Sequence, residues 1–449
     1  MSVGSASPVR GAELPLLRQA PPGPESVRWL RRFAQVAAPM GPRAAWLEPQ
    51  PGVGGTIVYQ SGQGSNLTDV DGNRYVDLAA GFGSLLLGHG PECVRLALAR
   101  QSTELLQALG DLHPSTLKIE LLERLAGIAG QGMRAILGQS GADAVSAALK
   151  TALLYTGKPG VLAFSGGYHG LSYGPLAACG LRPSYREPFA AQLNPSVRFV
   201  EYPSDTVGLG RSLLQVRQEL ARGDVGAVLF EPILGRGGCI VPPAEFAPAL
   251  AQACRAAGSL LIADEIWTGL GRAGHWLFGC AQGLSADLIC LGKGLGGGVP
   301  ISACLGRPEI LQAWSQAREV VHTSTFAGAP LACAAALGTL QALETQGLVA
   351  RAARVGAAWQ RALEDAVAAS RHAASCAVRG TGLMLGLDLS EHAGLALALS
   401  RRLLARGYLA SLGGGQRECL VLTPALDISE ALLEGFVAAL SESLGELPS

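Results

Sequence analysis

The chain has 449 residues, 49% of them hydrophobic and 16% charged, with 35 basic side chains matched by 35 acidic ones. That length accommodates roughly three folding units of about 150 residues, or two interlocked ones. The apolar fraction excludes a disordered chain, and the lack of a basic surplus argues against a nucleic-acid binder. Glycine is abundant, 60 residues or about 13% against a usual roughly 7%. It clusters between apolar runs without a fixed period, a pattern suited to backbone that approaches a ligand closely.

The first thirty residues hold Arg10, Glu13, Arg18, Glu25 and Arg28 among five prolines. No stretch of the chain approaches the roughly 20 uninterrupted apolar residues that span a bilayer. Neither a signal peptide nor a membrane span is expected, and the chain reads as cytoplasmic. Up to about Pro51 it is rich in Pro, Ala and Arg, with one helical candidate around Glu25 to Val36, which predicts an arm. The following segment, TIVYQSGQGSNLTDVDGNRYVDLAAG, flanks Asp71-Gly72 with β-branched and aromatic residues and predicts a hairpin.

Beyond Gly90, helical runs alternate with short apolar strands: RAIL (Arg134 to Leu137), VLAF (Val161 to Phe164), AVLF (Ala227 to Phe230), LLIA (Leu260 to Ala263) and LICLG (Leu288 to Gly292). Strands this apolar are buried on both faces, so an α/β fold with a mostly parallel sheet between helices is predicted. From about Pro330 the chain turns rich in Ala, Leu and Arg at helical spacing (Ala332 to Glu344, Val349 to Ala369, Ala393 to Arg406). Strand candidates near Met384 to Leu389 and Cys419 to Thr423 interrupt it, which predicts a second, α+β unit. The ten cysteines are scattered with no CxxC pair. They read as buried free thiols rather than as disulfides or metal ligands.

Ligands of an open parallel sheet gather beyond the carboxyl ends of its strands. RAIL is followed by Gln139-Ser140-Gly141-Ala142-Asp143, whose small residues at a helix start expose N–H groups suited to a phosphate. A plain helix cap at Ser140 accounts for the same residues. VLAF leads to Tyr168-His169, an aromatic for a bound ring or for the core, and AVLF leads to Glu231. LLIA leads to Asp264, a carboxylate at the rim that needs a cation: Arg272, or the protonated nitrogen of a heteroaromatic ring whose electron-accepting power it would sustain. LICLG leads to Lys293 in a glycine-rich, poorly charged setting that eases loss of its proton and attack on a carbonyl, unless it is an ordinary surface lysine. Together these residues suit a phosphate-bearing pyridine aldehyde.

The motifs SGADA, GGYHG, EPILGRGG with VPPAEF, DEIWTGLGR, GKGLGGGVP and HTSTFAGAPLACAAAL occur in that order. They resemble the class III aminotransferases, the ornithine, acetylornithine, 4-aminobutyrate and ω-amino acid type, over about Thr56 to Leu426. The resemblance implies fold type I: a large domain with a mostly parallel, seven-stranded-type sheet, and a small α+β domain built from both chain ends. The implied boundaries are an arm at 1–44, small-domain parts at 45–90 and 335–449, and the large domain at 91–334. It also implies a homodimer with active sites at the subunit interface, and pyridoxal 5'-phosphate as cofactor.

By position in these motifs, Lys293 is implied as the Schiff-base lysine, Asp264 as the partner of the pyridine nitrogen, and Gly141 with Ala142 as the phosphate cradle. Tyr168 is implied to stack on the ring, and Thr325 to reach the phosphate of the neighbouring subunit. His169, Glu231 and Trp267 occupy further cofactor positions. Trp267 departs from the Gln of many relatives and offers only a donor. Arg236 stands where ornithine- and 4-aminobutyrate-type enzymes have Glu, and Val421 where they have a carboxylate-binding Arg. Arg236 and Arg417 are therefore the candidate carboxylate residues, and Phe82 is a candidate pocket wall. The implied reaction moves an amino group from an amine or amino acid to an oxo acid or aldehyde by ping-pong Schiff-base chemistry. A racemase, epimerase or aminomutase of the same fold is the alternative.

Overall fold

A computed structural model describes residues 11–38, 55–130, 132–316, 318–391 and 394–447. The two ends of the expected arm over 1–44, at 1–10 and 39–44, and the start of the segment expected from 45 lie outside these residues. Within the described part of the arm, helix Pro24–Val36 forms where the sequence predicts it, with Pro24 at its first turn. Asp71 caps that helix from the hairpin turn, its carboxylate accepting from Glu25 N at 2.7 Å and Ser26 N at 2.8 Å.

The hairpin consists of β2 (Asn66–Asp69) and β3 (Arg74–Asp77), preceded by β1 (Tyr59–Gln63). Gly72 has φ +80° in the turn, the left-handed backbone for which an Asp-Gly pair is suited. A seven-stranded sheet follows, made of β4 (Arg134–Gly138), β5 (Gly160–Phe164), β6 (Val197–Val200), β7 (Val225–Phe230), β8 (Leu260–Asp264), β9 (Leu288–Leu291) and β10 (Ser302–Gly306). Their order across the sheet is β4-β10-β9-β8-β7-β5-β6, and β10 alone runs against the others.

Residues of β5, β7 and β8 alternate between two cores, except at Val225, where the register of β5 and β7 is irregular. Val161, Ala163, Ala227, Leu229, Leu260 and Ile262 face one, while Leu162, Phe164, Val228, Phe230, Leu261 and Ala263 face the other. Both faces are thus covered by helices, which is why the strands read as unbroken apolar runs. Two strands escape that signal. In β6 the edge position admits Arg198, whose guanidinium bonds Asp224 beyond the strand. In β10 the sequence SACLG is built largely of small residues.

The C-terminal part supplies β11 (Ala377–Thr381), β12 (Met384–Asp388), β13 (Tyr408–Leu409), β14 (Ser411–Gly413) and β15 (Cys419–Leu422). A four-stranded antiparallel sheet, β11-β12-β15-β14, packs against helices Leu348–Ala368 and Leu395–Leu404, on which Glu430–Gly445 packs in turn, while Pro330–Thr345 lies against helices Glu92–Glu104 and Thr116–Ala129. β13 instead pairs in parallel with β3, so the sheet begun by β1 to β3 is completed by the far end of the chain. No helix among the described residues is long and apolar enough to cross a membrane. Eight of the ten cysteines are buried, but Cys93 is half-buried and Cys280 exposed, so the expectation of uniformly buried thiols is corrected there.

Candidate active site

The carboxyl ends of β4, β5, β7, β8 and β9 carry the residues singled out from sequence, and most of them meet. Ser140 is indeed a helix cap: its Oγ accepts from Asp143 N, while the Asp143 carboxylate accepts from Ser140 N at 3.0 Å. The cap leaves the helix Gly141–Thr156 with its first N–H groups, those of Gly141 and Ala142, beyond the reach of intrahelical acceptors. These groups and the helix dipole make an anion seat.

Ile266, which the sequence reading did not single out, closes on that seat. A Cβ added to Gly141 would lie 2.9 Å from the Ile266 side chain, and one added to Gly292 3.4 Å from it. The signal was available: a β-branched residue two positions past a strand-end aspartate, facing two glycines that begin or precede the neighbouring motifs. Gly170 similarly abuts Ala142, since a Cβ there would meet the Ala142 Cβ at 2.9 Å.

Asp264 ends β8 and is buried. Its partner is His169, whose Nδ1 lies 2.7 Å from Asp264 Oδ2, not Arg272 as the simplest sequence alternative had it. Arg272 is fully buried elsewhere and donates from Nη1 to the carbonyls of Leu383 and Pro424. Oδ1 of Asp264 takes a 3.2 Å bond from Ile266 N. Burial works to lower the His169 pKa, and the hydrogen bond and charge of Asp264 outweigh it, so the ring is held protonated more readily than usual.

Glu231 lies behind these two. Its Oε1 accepts from Tyr168 N at 2.6 Å and its Oε2 from Gly235 N at 3.1 Å, which ties the loops after β5 and β7 together. Burial raises its carboxyl to about 7, against the lowering effect of His169. The neighbouring Glu265 turns away, accepting from Thr268 Oγ1 and Gly279 N.

Lys293 follows β9 on a non-glycine backbone with φ +35°. Its Nζ lies 4.4 Å from the Trp267 ring centroid. Burial pushes its amine down to about 8, although Asp264 and Glu231 pull it up. Trp267 is itself wedged between main chains: a Cβ at Gly83 would lie 2.1 Å from its Nε1, and one at Gly235 2.4 Å from its Cε3. Its Nε1 is buried without a hydrogen-bond partner.

Gly83 closes a feature that the sequence did not announce. Ala80, Gly81, Phe82 and Gly83 all have positive φ, at 41°, 60°, 58° and 78°. Left-handed turns of this kind are unfavourable by about 1–2 kcal/mol per non-glycine residue and accumulate at functional sites. The run is held from both sides: Asp77 Oδ1 accepts from the N–H groups of Ala79 and Ala80 at 2.9 Å, and Thr423 Oγ1 donates to Ala79 O. It carries Phe82 out to 57% exposure. The Arg236 guanidinium carbon lies 5.9 Å from the Phe82 ring centroid and 5.4 Å from that of Tyr168.

A closed circuit of contacts results, running from Lys293 through Trp267, Gly83, Phe82, Arg236 and Tyr168 to Glu231 and His169–Asp264, and back through Ile266 and Gly292. Gly141 adjoins it through Ile266 and Ala142 through Gly170, whereas Thr325 and Arg417 stand outside it. Thr325 is exposed, its carbonyl accepting from Gln107 Nε2 at 2.8 Å. Arg417 is exposed in the turn between β14 and β15, with φ +63°.

Residues 50–444 match the family model for class-III aminotransferases. Acetylornithine aminotransferase of Mycobacterium bovis is 36% identical over 387 residues, covering 86% of this chain and 90% of the relative. That of Archaeoglobus fulgidus is 34% identical over 374 residues, covering 83% and 92%. Among solved structures, an amine transaminase from an uncultivated Pseudomonas species, in its PLP-bound form, superposes with a TM-score of 0.83 at 30% identity over 92% of this chain and 98% of that one. Ornithine aminotransferase from Toxoplasma gondii gives 0.79 at 26% identity, covering 93% and 94%.

Proposed function

The chain belongs to the class-III aminotransferases and is a pyridoxal-phosphate-dependent enzyme of fold type I; from that premise we propose that Lys293 is its reactive amine and that the circuit around it is the active site. The observation that carries this reading is the Lys293 amine itself, lowered to about 8 by burial beside Trp267 and facing the charges of Asp264, Glu231 and Arg236. Near pH 8 about half of such an amine is neutral and able to attack a carbonyl or accept a proton.

The residues fit the cofactor. Gly141 N and Ala142 N, with the helix dipole, suit its phosphate. Asp264 has acceptor capacity beyond its bonds to His169 and Ile266 N, and suits a ring N–H. His169 holds Asp264 in place through that hydrogen bond. Tyr168 and Ile266 supply side chains for the ring faces, Glu231 fixes the backbone that carries Tyr168, and Trp267 Nε1 remains as a donor without a protein partner. Bound there, pyridoxal phosphate supplies an aldehyde that condenses with amines and a pyridinium that accepts an electron pair.

The protein's own contribution is then proton handling and exclusion of water. Lys293 Nζ takes the proton from the amine-bearing carbon of the substrate and later returns one, and its placement decides which atom receives it. An oxo product leaves, and an oxo acid or aldehyde enters to receive the amino group by the reverse sequence. Acetylornithine is a donor to test on the strength of the relatives' name. Val421, buried in β15 where ornithine-type enzymes are implied to carry a carboxylate-binding arginine, supports a different donor or acceptor from the glutamate and 2-oxoglutarate pair.

We also infer a homodimer. Leu106, Leu109, Leu112, Val320 and Phe326 are exposed apolar side chains on two segments that Gln107 and Thr325 tie together. A second copy covering them would take Thr325 to its own phosphate seat.

The test of the site is covalent. The purified protein, loaded with pyridoxal phosphate and reduced with borohydride, is digested and mapped by mass spectrometry. An adduct on Lys293 is expected, and its absence there overturns the assignment.

A further inference from the structure

The arginines around Lys293 are committed, with one exception. Arg182 donates to the carbonyls of Gly414 and Gly415. Arg272 donates to those of Leu383 and Pro424. Arg379 donates to Gly238 O and pairs with Asp388 at 3.0 Å. Arg236 is different: its Nε, like that of Arg272, is buried without a hydrogen-bond partner, but among the described residues neither a carbonyl nor a carboxylate receives any part of its guanidinium.

Its main chain is nonetheless anchored, because Arg236 O accepts from Gly414 N at 2.7 Å and Glu231 holds Gly235 N. The side chain therefore projects from a fixed base between the rings of Tyr168 and Phe82. Its charge is felt at the Lys293 amine. The wall beside it is apolar, built from Ile233, Cys239, Trp267, Met384, Cys419 and Val421. A guanidinium half out of water with no counterion is unfavourable alone and becomes favourable when an anion completes it. Its planar fork matches a carboxylate with two parallel hydrogen bonds.

We propose that Arg236 is the residue that grips the substrate carboxylate, that Arg417 does not, and that the enzyme's substrates are monocarboxylates. The proposal rests on the aminotransferase reading of the same site. Since one arginine serves, the carboxylate of the amino donor and that of the oxo acceptor occupy the same place in turn. A second carboxylate would face the rings and the apolar wall, where Arg182, Arg272 and Arg379 are already engaged, so pyruvate is favoured over 2-oxoglutarate as acceptor.

The test uses protein loaded with pyridoxamine phosphate, which removes any dependence on the unknown donor. Wild type, Arg236→Gln and Arg236→Lys are mixed with pyruvate, 2-oxoglutarate or propanal, and the return of the aldehyde-form absorbance is followed. Wild type is expected to use pyruvate at least about tenfold better in kcat/KM than 2-oxoglutarate. In Arg236→Gln the preference for pyruvate over propanal falls about 100-fold, chiefly through KM, the size expected for losing one member of a close charge pair. Arg236→Lys, which keeps the charge without the fork, recovers part of that loss and shows that the site has not collapsed. An unchanged pyruvate-to-propanal ratio in Arg236→Gln overturns the proposal, as does a wild type that prefers 2-oxoglutarate. No absorbance change with any acceptor in the wild type would overturn the aminotransferase reading as well, and so is told apart from failure of the arginine alone.

Discussion

His169 Nδ1 lies 2.7 Å from Asp264 Oδ2, with both side chains almost wholly removed from solvent. The contact holds the His169 pKa above its ordinary 6.5 in spite of burial. A base whose folded pKa is raised contributes stability that is whole below its unfolded value and disappears as pH rises through the folded one. His169→Asn is therefore expected to lower the stability of cofactor-free protein by about 3–5 kcal/mol at pH 5.5, as removal of one member of a buried pair does. The deficit should shrink toward pH 9. Urea unfolding across that range measures it, and a deficit independent of pH would show that the charge on His169 plays no part.

Lys293 has the opposite sign. Its folded amine titrates at about 8 against an ordinary 10.5, so at pH 7 the fold holds a charge it would rather shed. Between those values the unfolded chain binds the proton that the folded chain lacks, and stability rises with pH. Cofactor-free Lys293→Met should melt above wild type at pH 7, with the advantage fading by pH 10. Calorimetry at three pH values decides it, and a lower melting point for the variant at pH 7 would refute the argument.

Gly83 and Trp267 form a wedge that allows no added atom. Gly83→Ala places a Cβ 2.1 Å from Trp267 Nε1 on a backbone with φ +78°. The expected loss is about 2–5 kcal/mol, from the left-handed backbone and from overpacking. The double variant with Trp267→Gln should recover about 1–2 kcal/mol of it, because the two residues touch and their effects do not add. Simple additivity in a denaturation series would place the strain elsewhere.

Leu109 is 59% exposed beside the segment that carries Thr325. If a second copy covers this surface, Leu109→Asp buries an unpaired charge and dissociates the pair. Sedimentation should then move from twice 46.1 kDa to 46.1 kDa, with transaminase activity falling together with the mass. Wild type that sediments as a monomer would remove the basis for giving Thr325 a role across the interface.

The strands buried on both faces were legible because apolar runs need no partner information, and the polar residue ending each of them marked the rim. What was hidden depended on tertiary geometry. Nothing in the order of residues distinguishes Arg272 from His169 as the partner of Asp264: one belongs to the same motif and the other comes from a strand two places away in the sheet. The left-handed run Ala80 to Gly83 was equally silent. Glycine at two of its four positions permits the conformation, but Asp77 and Thr423 impose it, the second from the other end of the chain. β6 and β10 were missed because an edge strand tolerates Arg198 and a strand of small residues has little hydrophobic signal.

The parallel pairing of Val76 with Tyr408 has a bearing on biosynthesis. While the ribosome is still translating the middle of the molecule, the edge of β3 has no neighbour there and Ala79 lacks the clasp that Thr423 provides. The loop bearing Phe82 can settle only after nearly all the protein has emerged, since contacts so distant in sequence form late and slowly. A truncated product missing its last thirty or so residues would therefore keep the lysine and the anion seat, yet be born without a working mouth to the pocket.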